Sequence, residues 1–182
     1  MNFIALDFET AHANFPCEIG LAKVENGIIT ETKSWLIKPG CFPYMNPWNE
    51  RVHRISNADV ANEKNFEELW SELKNWLEDS VVVAHNAAFD IRVLRSTLAY
   101  YDIAIPCIDY FCSVSLSRKT WNQLPSYSLS ALSQLHNIKF NHHRAGDDAK
   151  ACAIITLKAF EQLEADNLHE GLKMTGIALK RV

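Results

Sequence analysis

Residues 3–12 read FIALDFETAH, and this stretch joins an apolar strand to two acidic side chains. Its first four residues are all apolar, which predicts a strand buried inside the protein. Asp7 and Glu9 then follow with only Phe8 between them. Because residues i and i+2 of a strand point to the same side, these two carboxylates would repel each other unless a positive charge lies between them. The rest of the sequence must therefore supply a cation or a site that binds one.

The bulk composition is that of one globular domain. The chain has 182 residues, of which 48% are hydrophobic, enough to form a sizeable core. Its formal net charge is −4, whereas proteins that hold long duplexes by neutralising many phosphates are usually basic. Any contact with nucleic acid is therefore expected to be short or mediated by metal ions.

The cysteines and the apolar segments bear on location. The five cysteines are scattered and include no C-x-x-C pair, which argues against a disulfide framework and a zinc site. The N-terminus lacks a basic segment followed by an apolar one, and no stretch is long and apolar enough to span a bilayer. We therefore expect no membrane attachment and a location in the cytoplasm.

Apolar periodicity predicts the order of strands and helices. Asn26 and Gly27 lie between two apolar runs and predict a hairpin, so the chain should open with three antiparallel strands. A helix is predicted to follow Asn65 as its N-cap, residues 81–84 read as a buried strand, and residues 147–163 read as a long helix. The resulting order, βββ-α-β-α-β-α-α, predicts an α/β fold with helices on both faces of a mixed sheet.

Three acidic stretches stand at the ends of predicted elements. The first contains Asp7 and Glu9, the second, VVVAHNAAFD, ends at Asp90, and the third, NHHRAGDDAKACA, contains His143 and Asp148. Because sites on sheet-based folds form at strand ends and helix starts, we expect the four carboxylates to converge. Four converging carboxylates require cations, and hard oxygen ligands select Mg²⁺ or Mn²⁺. Two such ions suit in-line attack on a phosphodiester, with the nearby histidine taking a proton from the attacking water.

Each motif has a simpler interpretation when it is taken alone. A D-x-E at a strand end is often exposed to solvent, and Asp147 and Asp148 could merely favour the positive end of a helix. His142 and His143 could be surface or capping residues. The pair also suggests a transition-metal site, but no cysteine or third histidine is near in sequence. The joint occurrence of all three motifs in this order favours the metal-dependent hydrolase.

The three motifs resemble those of the DEDDh (DnaQ-like) 3′-5′ exonuclease superfamily, in the branch of DNA polymerase III epsilon subunits and exonuclease X. LDFETA resembles D-x-E-T, AHNAAFD resembles H-N-A-x-F-D, and HRAGDDA resembles H-x-x-x-x-D-A. The last spacing selects His143 over His142 and Asp148 over Asp147. RVHRI resembles the V-H-G-I element of epsilon-like members, with Arg54 in place of the usual Gly.

The resemblance implies a ribonuclease-H-like fold with a five-stranded mixed sheet flanked by helices. It implies a 3′-5′ exonuclease that releases nucleoside 5′-monophosphates, using two Mg²⁺ or Mn²⁺ ions. The leading hypothesis is that it acts on DNA, and the acidic net charge suits short single-stranded ends. The implied metal ligands are Asp7, Glu9, Asp90 and Asp148, and the implied general base is His143. The implied substrate-binding residues are Thr10, Ala11, His85, Asn86 and Phe89.

Two other functions stay open at this point. An RNA exonuclease of the ribonuclease T or oligoribonuclease type would use the same residue types. A non-catalytic module associated with a polymerase would keep the fold without turnover. The aromatic residues that could stack on bases are Phe42, Tyr44, Trp48 and Phe89, and the first three could instead cover the core.

The weakly patterned segments set the expected domain boundaries. Residues 40–64 are predicted to form a long irregular loop. Residues 1–165 are predicted to form the exonuclease domain, and residues 166–182 a C-terminal tail of uncertain structure.

Overall fold

A computed structural model describes the whole chain, residues 1–182. The strands are β1 (Phe3–His12), β2 (Phe15–Glu25), β3 (Ile28–Leu36), β4 (Val81–Ala84), β5 (Asp109–Cys112) and β6 (Lys180–Arg181). The helices are α1 (Pro47–His53), α2 (Asn57–Val60), α3 (Phe66–Leu77), α4 (Ala88–Tyr100), α5 (Ser113–Thr120), α6 (Leu129–Leu135), α7 (Ala145–Gln162) and α8 (Leu168–Thr175).

The strands form one mixed sheet in the order β3-β2-β1-β4-β5-β6. β1, β2 and β3 are antiparallel neighbours, whereas β4 runs parallel to both β1 and β5. The predicted mixed sheet with flanking helices is confirmed. The sheet has six strands rather than the predicted five, because a two-residue strand near the C-terminus adds to the free edge of β5. A strand of that length carries no periodicity by which a sequence could reveal it.

β1 lies inside the sheet, and its alternating side chains reach two separate cores. Phe3 and Ala5 belong to the core that α5, α6, α7 and α8 cover. Ile4, Leu6 and Phe8 belong to the core that α3 and α4 cover on the other face. Because side chains alternate along a strand, Asp7 and Glu9 lie on the same face of β1 as Ala5, which is the face that α7 covers.

The close approach of α7 to the sheet depends on Gly20 of β2. A Cβ atom at Gly20 would lie only 2.0 Å from the backbone of Ala145, the first residue of α7. A side chain there would push the start of the helix away from the strands. Glycine at this position therefore lets α7 begin directly over β2.

Residues 40–64 do not form the predicted long irregular loop, because they include the short helices α1 and α2. The side chain of Asn46 caps α1 by accepting a hydrogen bond from the backbone N–H of Trp48 at 2.9 Å, and Pro47 occupies the first turn. Helices of seven and four residues are too short to show a clear apolar period.

The C-terminal segment packs on the rest of the chain. Leu168 and Leu172 of α8 are buried in the core beneath α7, and the backbone N–H of Val182 donates to the carbonyl of Ile108 at 3.0 Å. The proposed division of the chain after residue 165 stays a prediction. None of the helices is long and apolar enough to cross a membrane.

Candidate active site

Asp7 and Glu9 lie side by side on β1 and face Asp148 in the first turn of α7. One carboxylate oxygen from each of the three residues lies within 4.8 Å of the other two. β1 supplies two of them through its alternation, and the close approach of α7 supplies the third. The structure therefore brings these three residues together, although they are far apart in sequence.

Asp90, the fourth predicted carboxylate, lies outside this group of three and reaches β1 from the first turn of α4. Its Oδ1 accepts a hydrogen bond from the backbone N–H of Phe8 at 3.1 Å, and the residue is only 2% exposed. Phe8 lies between Asp7 and Glu9 in the chain. This hydrogen bond therefore ties the start of α4 to the acidic pair and holds Asp90 behind it.

The carboxylates disfavour one another's charged forms. Burial, followed by the charges of Asp90 and Asp148, raises the pKa of Asp7 well above its ordinary value. Burial, followed by the charge of Asp148, raises the pKa of Glu9 to about 8. Burial also raises the pKa of Asp90 to about 8 and that of Asp148 to about 7. A bound divalent cation would reverse these shifts, since it favours the ionised carboxylates.

One oxygen of this cluster has no partner within the protein. Asp148 is 4% exposed, and its buried Oδ1 makes no hydrogen bond. Buried polar atoms of folded proteins nearly always have a partner, so this oxygen is free to bind an ion. Asp7, Glu9 and Asp148 offer only carboxylate oxygens, which suit Mg²⁺ or Mn²⁺. The cluster could therefore hold a divalent metal.

His143 stands at the rim of the same cluster. Its backbone takes a left-handed conformation with φ of 65°, and its N–H donates to Asp148 Oδ2 at 2.9 Å. Its Nδ1 lies 3.6 Å from Glu9 Oε1, while 40% of its side chain remains exposed. Burial, followed by the neighbouring His142, lowers the pKa of His143 below its ordinary value. A neutral imidazole that faces both the carboxylates and solvent can accept a proton.

Glu18 is a residue of the site that the motifs do not reveal. It lies opposite Glu9 in the pairing of β1 with β2 and is 1% exposed. Its carboxylate accepts from the Arg144 guanidinium at 3.2 Å and from the backbone N–H of Ala145 at 3.1 Å. Glu18 therefore fixes the start of α7 and holds Arg144. The charge of Glu18 adds to the rise in the pKa of Glu9, and the charge of Arg144 offsets a small part of that rise. The available signal was a charged residue inside the otherwise apolar run FPCEIGLA.

The acidic cluster opens into a cleft of about 720 Å³. The predicted substrate-binding residues that line it are Thr10, His85, Asn86 and Phe89. Ala11 does not line it, because it is fully buried in a small core with Cys17 and Met45. The carbonyl of Ala11 accepts a hydrogen bond from the backbone N–H of Asn46 at 2.8 Å, which leaves it turned towards the α1 segment.

His85 connects two walls of the cleft. Its Nε2 lies 2.9 Å from the carbonyl of Tyr127, and its Nδ1 lies 2.8 Å from Ser113 Oγ. Burial lowers the pKa of His85 to about 4, so the ring is neutral at pH 7. A carbonyl can only accept, so Nε2 carries the proton and Nδ1 accepts from the Ser113 hydroxyl. With both nitrogens engaged, His85 positions the segment before α6 and offers the cleft only its ring.

His53, which also lines the cleft, links α1 to β1 through both of its ring nitrogens. The residue is 3% exposed, and its Nδ1 accepts from the backbone N–H of Ile55 at 3.0 Å. Its Nε2 therefore carries the proton and donates to the carbonyl of Thr10 at 3.2 Å. The next residue, Arg54, ends α1 in a left-handed conformation with φ of 61°. Glycine adopts this conformation without strain, which explains the glycine of the V-H-G-I pattern.

The four aromatic candidates for base stacking lie in different environments. Trp48 is 69% exposed and lines the cleft together with Phe89. Phe42 packs on the small core around Ala11, and Tyr44 contacts His12 edge to face outside the cleft lining. Only Trp48 and Phe89 are therefore placed to meet a ligand in the cleft.

The sequence matches the exonuclease family model RNase_T over residues 4–156. The chain therefore belongs to this exonuclease family, and its assignment to the DEDDh (DnaQ-like) superfamily is confirmed. The prediction of an exonuclease with a ribonuclease-H-like fold is confirmed with it.

Two bacterial DNA polymerase III proteins are among its relatives. The chain is 30% identical over 169 residues to the DNA polymerase III subunit epsilon of Aquifex aeolicus, a match that spans 88% of this chain and 81% of that protein. It is 35% identical over 170 residues to the PolC-type DNA polymerase III of Thermotoga maritima, spanning 89% of this chain and 12% of that protein. It thus corresponds to a small part of the PolC-type protein.

A solved structure supports the same assignment. Exonuclease X in complex with 5′ overhanging duplex DNA superposes with a TM-score of 0.77 at 25% identity, covering 96% of this chain and 99% of that one. The nuclease domain of 3′hExo, a DEDDh family member bound to rAMP, superposes with a TM-score of 0.72 at 14% identity, over 88% of this chain and 92% of that one. At that identity, the second comparison bears on the fold alone.

Proposed function

We propose that this protein removes nucleotides from the 3′ end of single-stranded DNA and releases nucleoside 5′-monophosphates. The observation that carries the proposal is the convergence of Asp7, Glu9 and Asp148 within 4.8 Å at the floor of an open cleft. Asp90 supports this floor from behind, and His143 stands at its rim. These residues offer the carboxylates and the base that metal-assisted hydrolysis of a phosphodiester uses, which supports the proposal.

Two Mg²⁺ or Mn²⁺ ions complete the proposed site. Asp7, Glu9 and Asp148 would hold the first ion, Asp7 would also hold the second, and Asp90 would act largely through bound water. The unpartnered Oδ1 of Asp148 and the raised pKa values of the carboxylates support this role. Two such ions stabilise the attacking and leaving oxygens of an in-line displacement.

His143 is the proposed general base. Its lowered pKa keeps the imidazole neutral, and its partial exposure leaves the ring open to a water molecule in the cleft. The hydrogen bond from its backbone N–H to Asp148 Oδ2 fixes the histidine relative to the carboxylates. A positioned base of this kind contributes roughly a hundredfold or more to the rate.

The walls of the cleft suit a short single strand. Trp48 and Phe89 offer aromatic surface on which bases can stack without sequence preference. The net charge of −4 favours a few contacts near a chain end over a long duplex interface. The DNA in the exonuclease X complex and the polymerase names of the relatives favour DNA over RNA. The predicted location in the cytoplasm stays a prediction.

The direct test compares matched 5′-labelled DNA and RNA oligonucleotides, single-stranded or with a recessed 3′ end, in Mg²⁺, Mn²⁺ or EDTA. We expect a ladder that shortens from the 3′ end, forms fastest on single-stranded DNA and disappears in EDTA. A faster ladder on RNA would replace the DNA assignment by an RNA exonuclease. No cleavage by folded, metal-supplied protein would favour a non-catalytic module associated with a polymerase.

A further inference from the structure

A second group of metal-ligating side chains overlaps the acidic cluster. His142, His143 and Asp148 each offer a ligand atom, and these atoms lie within 4.8 Å of one another. The ligands of one tetrahedral zinc ion lie about 3.3 Å apart, given bonds of about 2.0 Å to nitrogen and oxygen. The side chain of His142 is exposed, so its ring can rotate to shorten these separations.

The backbone explains how two adjacent histidines share one side. Neighbouring side chains of an extended segment point in opposite directions. The left-handed conformation of His143, with φ of 65°, turns the chain so that the two rings lie 3.9 Å apart, edge to face. The ring of Phe140 packs edge to face against the ring of His142, with 5.4 Å between the two centroids, and so restricts the movement of His142 on that side. The pair is therefore directed towards Asp148 by the fold.

The donor set differs from that of the acidic cluster. Two imidazoles and one carboxylate are the ligands of zinc sites that keep an open fourth position, whereas Mg²⁺ prefers oxygen alone. Asp148 is 4% exposed, its Oδ2 accepts from the backbone of His143, and its Oδ1 has no partner. Asp148, five residues after His143, therefore supplies the third ligand beside the two histidines.

We propose that His142, His143 and Asp148 form a Zn²⁺ site that switches the nuclease off. An ion held there engages the proposed general base and one proposed ligand of the catalytic metal. Zn²⁺ and the first catalytic ion would therefore exclude each other at Asp148. The inhibitory consequence rests on the proposed function, whereas the metal site itself does not.

The binding test uses the full chain with Zn²⁺ added in the presence of excess Mg²⁺, and a chromophoric chelator as competitor. We expect one Zn²⁺ per chain and an affinity that His142→Gln weakens at least about tenfold, since loss of a direct ligand should cost no less than loss of a supporting residue. His169→Gln, which removes an exposed histidine on α8, is the matched control and should bind as the wild type does. Co²⁺ in place of Zn²⁺ should give a visible absorption band that His142→Gln removes.

The activity test measures Zn²⁺ inhibition at saturating Mg²⁺ on a single-stranded oligonucleotide. His142→Gln should keep the Mg²⁺-dependent rate but need at least about tenfold more Zn²⁺ for half inhibition. Equal Zn²⁺ affinity and equal inhibition in wild type and His142→Gln would overturn the zinc site. Zn²⁺ binding through His142 in a protein with no Mg²⁺-dependent activity would instead refute the proposed function and leave the site standing.

Discussion

Metal binding at the acidic cluster should weaken steeply as the pH falls from 8.5 to 6.5. Without metal, burial and the charges of neighbouring carboxylates raise the pKa of Glu9 to about 8 and that of Asp148 to about 7. A metal ion binds the ionised carboxylates, so protons compete with it throughout this range. An ordinary exposed carboxylate is fully ionised at both pH values and would give no such dependence.

The size of the effect follows from the two pKa values. Glu9 changes from about three-quarters ionised at pH 8.5 to about 3% at pH 6.5, and Asp148 from nearly full ionisation to about a quarter. These changes weaken the apparent affinity by roughly 25-fold and fourfold, hence on the order of a hundredfold together. At pH 7, filling the site should release between about one and two protons from these two residues.

Calorimetric titration with Mn²⁺ measures both quantities. The affinity is taken at pH 6.5 and pH 8.5, and the proton release from the difference between two buffers of unequal ionisation enthalpy. Asp79→Asn, a change at an exposed turn, should behave as the wild type does at both pH values. An affinity that stays constant between the two pH values, with no proton release, would refute the reasoning about the buried carboxylates.

Three further predictions concern stability and the choice of histidine. The pKa values of Glu9 and Asp148 are raised in the folded state, so ionising these carboxylates costs stability as the pH rises through about 7 to 8. The Tm of the metal-free protein should therefore fall between pH 6.5 and 8.5, and Mn²⁺ should remove that fall. Arg54→Gly should raise the free energy of unfolding by about 1 kcal/mol, because glycine adopts the left-handed conformation without strain. The control, Arg51→Gly inside α1, should lower it by about the same amount. Denaturant unfolding that shows no gain for Arg54→Gly would contradict this prediction. His143→Ala should slow single-turnover hydrolysis in Mg²⁺ roughly a hundredfold while His142→Ala has little effect, and the reverse pattern would identify His142 as the base.

Elements with strong local signals could be predicted from the sequence. Asn26 and Gly27 both take positive φ, as the hairpin they connect requires, and β2 and β3 pair as expected. The side chain of Asn65 caps α3, accepting from the backbone of Glu68 at 2.9 Å. The strand at residues 81–84 has the predicted bounds. In each case, a few adjacent residues carry the information.

Elements that depend on distant contacts could not be predicted. α7 begins at Ala145, ahead of the predicted residue 147, because the buried carboxylate of Glu18 accepts from the backbone N–H of Ala145. Glu18 is more than a hundred residues away in the chain, so no local pattern reveals this cap. β6 likewise exists only because it pairs with the edge of β5. Of the candidate site, the motifs indicated Asp7, Glu9 and Asp148, which the structure brings together. They did not indicate Glu18, which holds the start of α7 in place.

The central claim is that divalent ions held by the acidic cluster carry out 3′-5′ hydrolysis. The most direct test is the rate of nucleoside 5′-monophosphate release from single-stranded DNA by Asp7→Asn, with Asp79→Asn as the matched surface control. The account predicts wild-type turnover for Asp79→Asn and no detectable turnover for a folded Asp7→Asn protein, because the proposed bridging ligand is lost. Substantial turnover by Asp7→Asn in Mg²⁺ or Mn²⁺ would contradict the metal assignment.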